Sequence, residues 1–99
     1  MREQIEIARN DMGITHSDFQ RIFPRLIEDC KNFIVGTETI VNWSSGQKLT
    51  VYVSKEKIRN IAVLRIPYVD LRFVFVGFLL HDVERFMVRF DLAFHKGGG

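Results

Sequence analysis

Three histidines, one cysteine and four serines are the residues of this chain most able to do chemistry. His16, His81 and His95 are far apart in sequence. With Cys30 as the single thiol there is no paired metal-ligand spacing, so no metal is expected. Each histidine falls at a predicted helix end, and His95 near a C-terminus is favoured by the helix dipole. Ser17, Ser44, Ser45 and Ser54 stand in cap or turn contexts that account for them. Cys30 lies on the apolar stripe of the first predicted helix and reads as a core thiol rather than a nucleophile. Asp82, Glu84 and Asp91 read as solvated helix charges. No glycine motif cradles phosphate. The expectation is a protein that is not an enzyme and has no cofactor.

Binding chemistry is the other possibility. Lys48, Lys55, Lys57, Arg59, Arg65 and Arg72 gather on the middle strands and the segment between them, where they could meet nucleic acid or another anion. The balance of 14 basic and 12 acidic residues leaves only +2, which does not by itself argue for nucleic acid. Single-stranded RNA on a sheet asks for two or more stacking aromatics, and only Tyr52 is placed for it. The helix–strands–helix order resembles, in layout only, the double-stranded-RNA-binding domain. That family's last helix begins with phosphate-gripping lysines. Here the start is Leu79-Leu80-His81-Asp82-Val83-Glu84, and there is one strand too many, so no residue role is carried over. The terminal Gly97-Gly98-Gly99 resembles the Gly-Gly ends of ubiquitin-like and sulfur-carrier proteins, whose flexible carboxylate threads into an activating enzyme. Here a predicted helix precedes the tail, and three glycines reach only about 10 Å. A carrier role is the third reading, after anion binding.

The elements that must position these residues are read from periodicity. Val83, Phe86, Met87, Phe90 and Phe94 recur at spacings of three and four, one apolar face of a helix running from Gly77 to about His95, with Gly97 as its cap. Glu84, Arg85, Arg89 and Asp91 form the opposite face. Thr15 and Asp18 have the spacing of a capping box, and Ile14 and Phe19 that of a hydrophobic staple. The stripe of Phe19, Ile22, Phe23, Leu26, Ile27 and Cys30 stays in phase across Pro24, which predicts one kinked helix ending near Asn32–Gly36. Four strands follow: Thr37–Trp43, Lys48–Ser54, Ile61–Ile66 and Asp70–Val76. Lys55–Asn60 reads as a charged loop and Pro67-Tyr68-Val69 as a turn. Residues 1–13 fit a helical stripe through Ile5, Ala8 and Met12 and equally a strand through Ile5 and Ile7. They are left as an N-terminal leader, loosely held.

The fold class expected is α+β: a four-stranded antiparallel sheet with two helices packed on one face, in the order α-β-β-β-β-α. Residues 14–96 form one domain, and 97–99 a glycine tail. Nine phenylalanines, six of them after Asp70, weight the core toward the C-terminal half. If the Phe73 and Phe75 face meets the helices, Thr50, Tyr52, Arg65, Arg72, Val74 and Val76 lie on the outer face, with Ile61 or Val63. A face bathed in water alone is normally more polar. The leading expectation is therefore a small interaction module that covers this face with a protein partner, most simply a second copy, through Tyr52, Arg65, Arg72, Val74 and Val76. The N-terminus is polar and the longest strongly apolar stretch, 73–80, is far short of the ~20 residues of a membrane helix. With one cysteine and no secretory signal, a cytoplasmic protein away from membranes is the default expectation.

Overall fold

The computed structural model describes residues 4–27, 32–34, 36–43 and 45–95, without the side chains of 32–34 and 95. Cys30, Ser44 and the glycine tail, including the expected cap at Gly97, lie outside the described residues. The elements in chain order are β1 (Gln4–Met12), α1 (His16–Ile22), a 3-10 turn (Phe23–Leu26), β2 (Asn32–Ile34), β3 (Glu38–Asn42), β4 (Lys48–Val53), β5 (Lys57–Ile61), β6 (Leu64–Val76) and α2 (Leu80–His95). The class is α+β, as expected. The main sheet has five antiparallel strands rather than four, in the order β1-β6-β4-β3-β2, and β5 pairs with the first half of β6.

The core is where the phenylalanine spacing put it. Phe73, Phe75 and Phe90 are fully buried, and the ring of Phe90 lies 4.8 Å from that of Phe73. Phe86 meets Phe75 at 5.7 Å and Phe23 at 6.4 Å, and Phe94 meets Phe19 at 6.0 Å. Both helical segments therefore share one face of the sheet. Thr15 caps α1 with the expected box: its hydroxyl accepts from the Asp18 amide at 3.0 Å, and the Asp18 carboxylate accepts from the Thr15 amide at 3.1 Å. That backbone bond is the main reason Asp18 titrates below the ordinary carboxylate range.

Four expectations are corrected. Pro24 does not kink a longer helix: α1 stops at Ile22 and the chain tightens into the 3-10 turn, with Pro24 in its first positions, where a missing N–H has no partner to lose. Phe23, Leu26 and Ile27 stay buried, so the stripe survives the change of helix type. The N-terminal leader is a strand: Ile5 stands opposite Phe75 and Ile7 opposite Phe73. The third inward position holds Arg9, which blurs the pattern in sequence. Its guanidinium meets Asp91 of α2 at 2.9 Å, so the charge is answered from the helix layer. That bond raises the pKa of Arg9.

The remaining two corrections concern the middle of the chain. Lys55–Asn60 is not a loop, and Pro67 does not make a turn. The pairing passes from Val53 opposite Leu71 to Lys57 opposite Tyr68, so Ser54, Lys55 and Glu56 face only Val69 and Asp70. That is a β-bulge, with the Ser54 amide donating to the Asp70 carbonyl at 2.9 Å. β5 continues β4 past this bulge, and β6 is one unbroken strand of 13 residues. The reversal lies at Ala62 and Val63, between the paired Ile61 and Leu64. Counting from this two-residue turn, Ile58 opposite Pro67 is a pair without hydrogen bonds. The missing N–H of Pro67 thus faces the other edge of β6, beyond the point where β1 stops at Met12 opposite Val69.

Candidate functional site

A 13-residue strand spans about 40 Å, most of the long axis of a molecule measuring 49 × 21 × 21 Å. β6 is the spine of the main sheet along Val69–Val76 and one half of a projecting hairpin along Leu64–Tyr68. Its odd-numbered residues Val69, Leu71, Phe73 and Phe75 are buried under the helices. Its even-numbered residues, Leu64, Ile66, Tyr68, Asp70, Arg72, Val74 and Val76, share the opposite side, from the tip of the arm to the far end of the sheet.

Within the sheet this strip is flanked by Thr50 opposite Val74, Tyr52 opposite Arg72 and Lys48 opposite Val76 on β4, and by Glu6 and Ala8 on β1. Arg72 is held from both sides. Its guanidinium lies 4.4 Å over the Tyr52 ring and 3.1 Å from the Glu6 carboxylate. At the base of the arm, Arg59 stacks on Tyr68 at 4.7 Å and pairs with Asp11 at 3.3 Å. Lys57 meets Asp70 at 2.8 Å, and Asp70 also accepts from the Asp11 amide at 2.9 Å. Lys57 first and that amide second hold the Asp70 carboxyl below its ordinary range, and Asp70 in turn raises Lys57. The pair therefore persists as pH falls until Asp70 itself protonates.

Among the described residues no helix lies behind the arm. Ile58, Ile61, Leu64 and Ile66 are exposed, and Val63 at the tip is 94% exposed. Ala62 takes φ 54°, a left-handed conformation that a residue with a Cβ adopts at a cost.

Of the residues expected on the outer face, Tyr52, Arg72, Val74 and Val76 are brought together. Arg65 is not. It pairs with Asn60 in the arm and shares the parity of the core-facing residues. Ile61, opposite Leu64, joins the outer side, whereas Val63 forms the tip. Leu64, Ile66 and Tyr68, which the sequence reading does not place on the outer face, share it with Arg72, Val74 and Val76. Their period-two alternation is legible in the sequence, but Pro67 reads there as its end.

The His16 and His81 side chains do not converge. The His16 ring nitrogen Nε2 lies 2.7 Å from the Ser54 carbonyl, and His81 lies beside Asp82 at 3.3 Å. Among the described residues no group of three or more His, Cys, Asp or Glu is placed to hold a metal, and no helix is long and apolar enough to cross a membrane. Comparison of the chain with protein-family models, with curated proteins and with solved structures finds no match.

Proposed function

We propose that this protein is a small non-catalytic interaction module that self-associates through the outer strip of β6, two copies meeting face to face about a two-fold axis near Asp70. What supports this is the order of side chains along the strip. Leu64 and Ile66 at one end and Val74 and Val76 at the other are aliphatic, with Tyr68 and Arg72 flanking Asp70. The pattern is nearly a mirror image about Asp70. A two-fold interface asks one patch to complement itself. Laid antiparallel, the aliphatic ends of one copy meet those of the other, and Arg72 meets Tyr68. The two Asp70 carboxylates that approach near the axis each carry their own Lys57.

The arm gives a second reason. A two-stranded ribbon is marginal in water by itself, and this one exposes Ile61, Leu64 and Ile66 on the side of the strip, with Val63 at the tip. Covering a half-exposed aliphatic side chain contributes on the order of 1 kcal/mol, against several kcal/mol of lost freedom on association. A dimer of micromolar to millimolar strength is the expectation. The anion-binding alternative is disfavoured by the internal partners of Lys57, Arg59 and Arg72, which already hold carboxylates.

Sedimentation equilibrium tests the proposal on the wild type, on Leu64→Glu and Val74→Glu at the two ends of the strip, and on Val88→Glu on the outer side of α2. The expected result is a reversible dimer that both strip variants dissolve and the α2 variant keeps. A wild type that stays monomeric at hundreds of micromolar overturns it, as does a dimer that survives both strip substitutions.

A further inference from the structure

We infer that the hollow between the β3–β4 turn and the first half of α2 is a binding site for a planar aromatic ring bearing one acidic group, an aryl carboxylate. It lies on the helix side of the sheet, away from the outer strip, and stands or falls independently of self-association. Its volume is about 450 Å³, within the range of small-molecule pockets.

The apolar part is preformed. Trp43 and Phe78 meet edge to face at 5.5 Å, and Phe78 continues into the core through Phe75 at 5.2 Å. Phe86, only 7% exposed, adds a third ring to the lining. The turn that carries Trp43 is pinned at both ends: the Trp43 amide donates to the Gln47 carbonyl at 3.0 Å, and the Gly46 amide to the Trp43 carbonyl at 3.1 Å. Gly46 takes φ 89°, a conformation suited to glycine. A ring entering here meets aromatic surface that is already in place, so little ordering is needed on binding.

The polar part selects an anion. Arg85 lines the hollow and makes no hydrogen bond or ion pair among the described residues. Arg89 is held in place by donating one N–H to the Leu26 carbonyl at 3.1 Å, which leaves the rest of its fork for a ligand. Among the described residues Asp82 is the one carboxylate in the lining, with His81 at 3.3 Å. Two guanidiniums against one carboxylate among the described residues leave a surplus of one positive charge, matched to a single acidic group. Two guanidinium forks suit the planar geometry of a carboxylate.

Trp43 is the only tryptophan in the chain, so its indole N–H signal in a proton–nitrogen correlation spectrum reports on this hollow alone. The full chain is titrated with 2-naphthoate, with 2-naphthylmethanol as the ring without the charge, and with acetate as the charge without the ring. The expected result is a saturable shift of the indole signal with 2-naphthoate at submillimolar concentration, with the other two at least about tenfold weaker. That is the loss associated with one charge-assisted hydrogen bond. Arg85→Gln, at an exposed position, is expected to weaken 2-naphthoate by a similar factor with the free spectrum otherwise unchanged. The proposal is overturned if 2-naphthoate produces no saturable shift up to its solubility. It is equally overturned if 2-naphthylmethanol binds as tightly, or if Arg85→Gln leaves the affinity unchanged.

Discussion

Phe90 shows how much of the core a single side chain carries. It is fully buried, with its ring 4.8 Å from Phe73 in the sheet and 4.4 Å from Phe94 one turn along α2. Phe94 in turn stacks on Phe19 of α1, so Phe90 stands at the junction of sheet, first helix and last helix. Truncation to alanine leaves a cavity that neighbouring rings cannot easily fill. Phe90→Ala is expected to destabilise by roughly 3–5 kcal/mol, a large part of the ~5–15 kcal/mol of an ordinary domain. Denaturant melts check it, and a shift below about 1 kcal/mol would mean that α2 does not seat this face. Polar side chains inside are answered as carefully. Thr39 is fully buried, and its hydroxyl donates to the Gly36 carbonyl at 3.0 Å and accepts from the Gly36 amide at 3.1 Å. Among the described residues no buried side-chain nitrogen or oxygen lacks a partner.

The projecting hairpin is the element that sets this protein apart from a plain sheet under two helices. Its stability is local: two strands, one bulge, and at its base the contacts of Lys57 with Asp70 and of Arg59 with Asp11 and Tyr68. The turn itself is not optimal, because Ala62 sits at φ 54°. A left-handed conformation costs a residue with a Cβ roughly 1–2 kcal/mol. Glycine removes that strain but loses roughly 0.5–1 kcal/mol of chain entropy. Ala62→Gly is therefore expected to stabilise the arm by up to about 1 kcal/mol. Amide exchange at Ile61 and Leu64, the pair that closes the turn, reads this directly. Protection up to about fivefold higher is the expected outcome, and lower protection would show that the turn prefers alanine.

At the scale of the molecule, length and exposure go together. A body 21 Å across with a long axis of 49 Å leaves the arm far from the helix layer. Apolar surface without a covering layer is the usual mark of association. The self-association proposed through the β6 strip would link folding to concentration, because a ligand bound only by the native state stabilises it by mass action. The thermal midpoint of the wild type is expected to rise as protein concentration is raised a hundredfold, and that of Val74→Glu to stay constant. A wild-type midpoint independent of concentration would count against a dimer formed by folded chains. The Glu substitution is suited to this comparison because Val74 is only half-buried and faces away from the core.

Periodicity in the sequence determined the last helix, its phenylalanine face and the strands it covers, because Phe86, Phe90 and Phe94 can satisfy their spacing in only one way. It also determined the cap at Thr15, which rests on contacts between residues three apart, and the strand at Lys48, whose alternation of Leu49, Val51 and Val53 is legible before its partners are known. Tertiary structure alone decided the rest. β1 becomes a strand because the edge of β6 is open to it, and Arg9 is tolerated at an inward-facing, partly exposed position because Asp91 arrives from the far end of the chain. Lys57–Ile61 lacks an apolar alternation because both of its faces meet water, so its strand character comes entirely from pairing with β6. Pro67 is read as a break in any sequence. It is harmless here because the edge it disables is one that β1 never reaches. The same fact joins Leu64 and Ile66 to Arg72, Val74 and Val76 on one continuous surface. No local pattern could reveal that union, since it depends on which edge of β6 stays free.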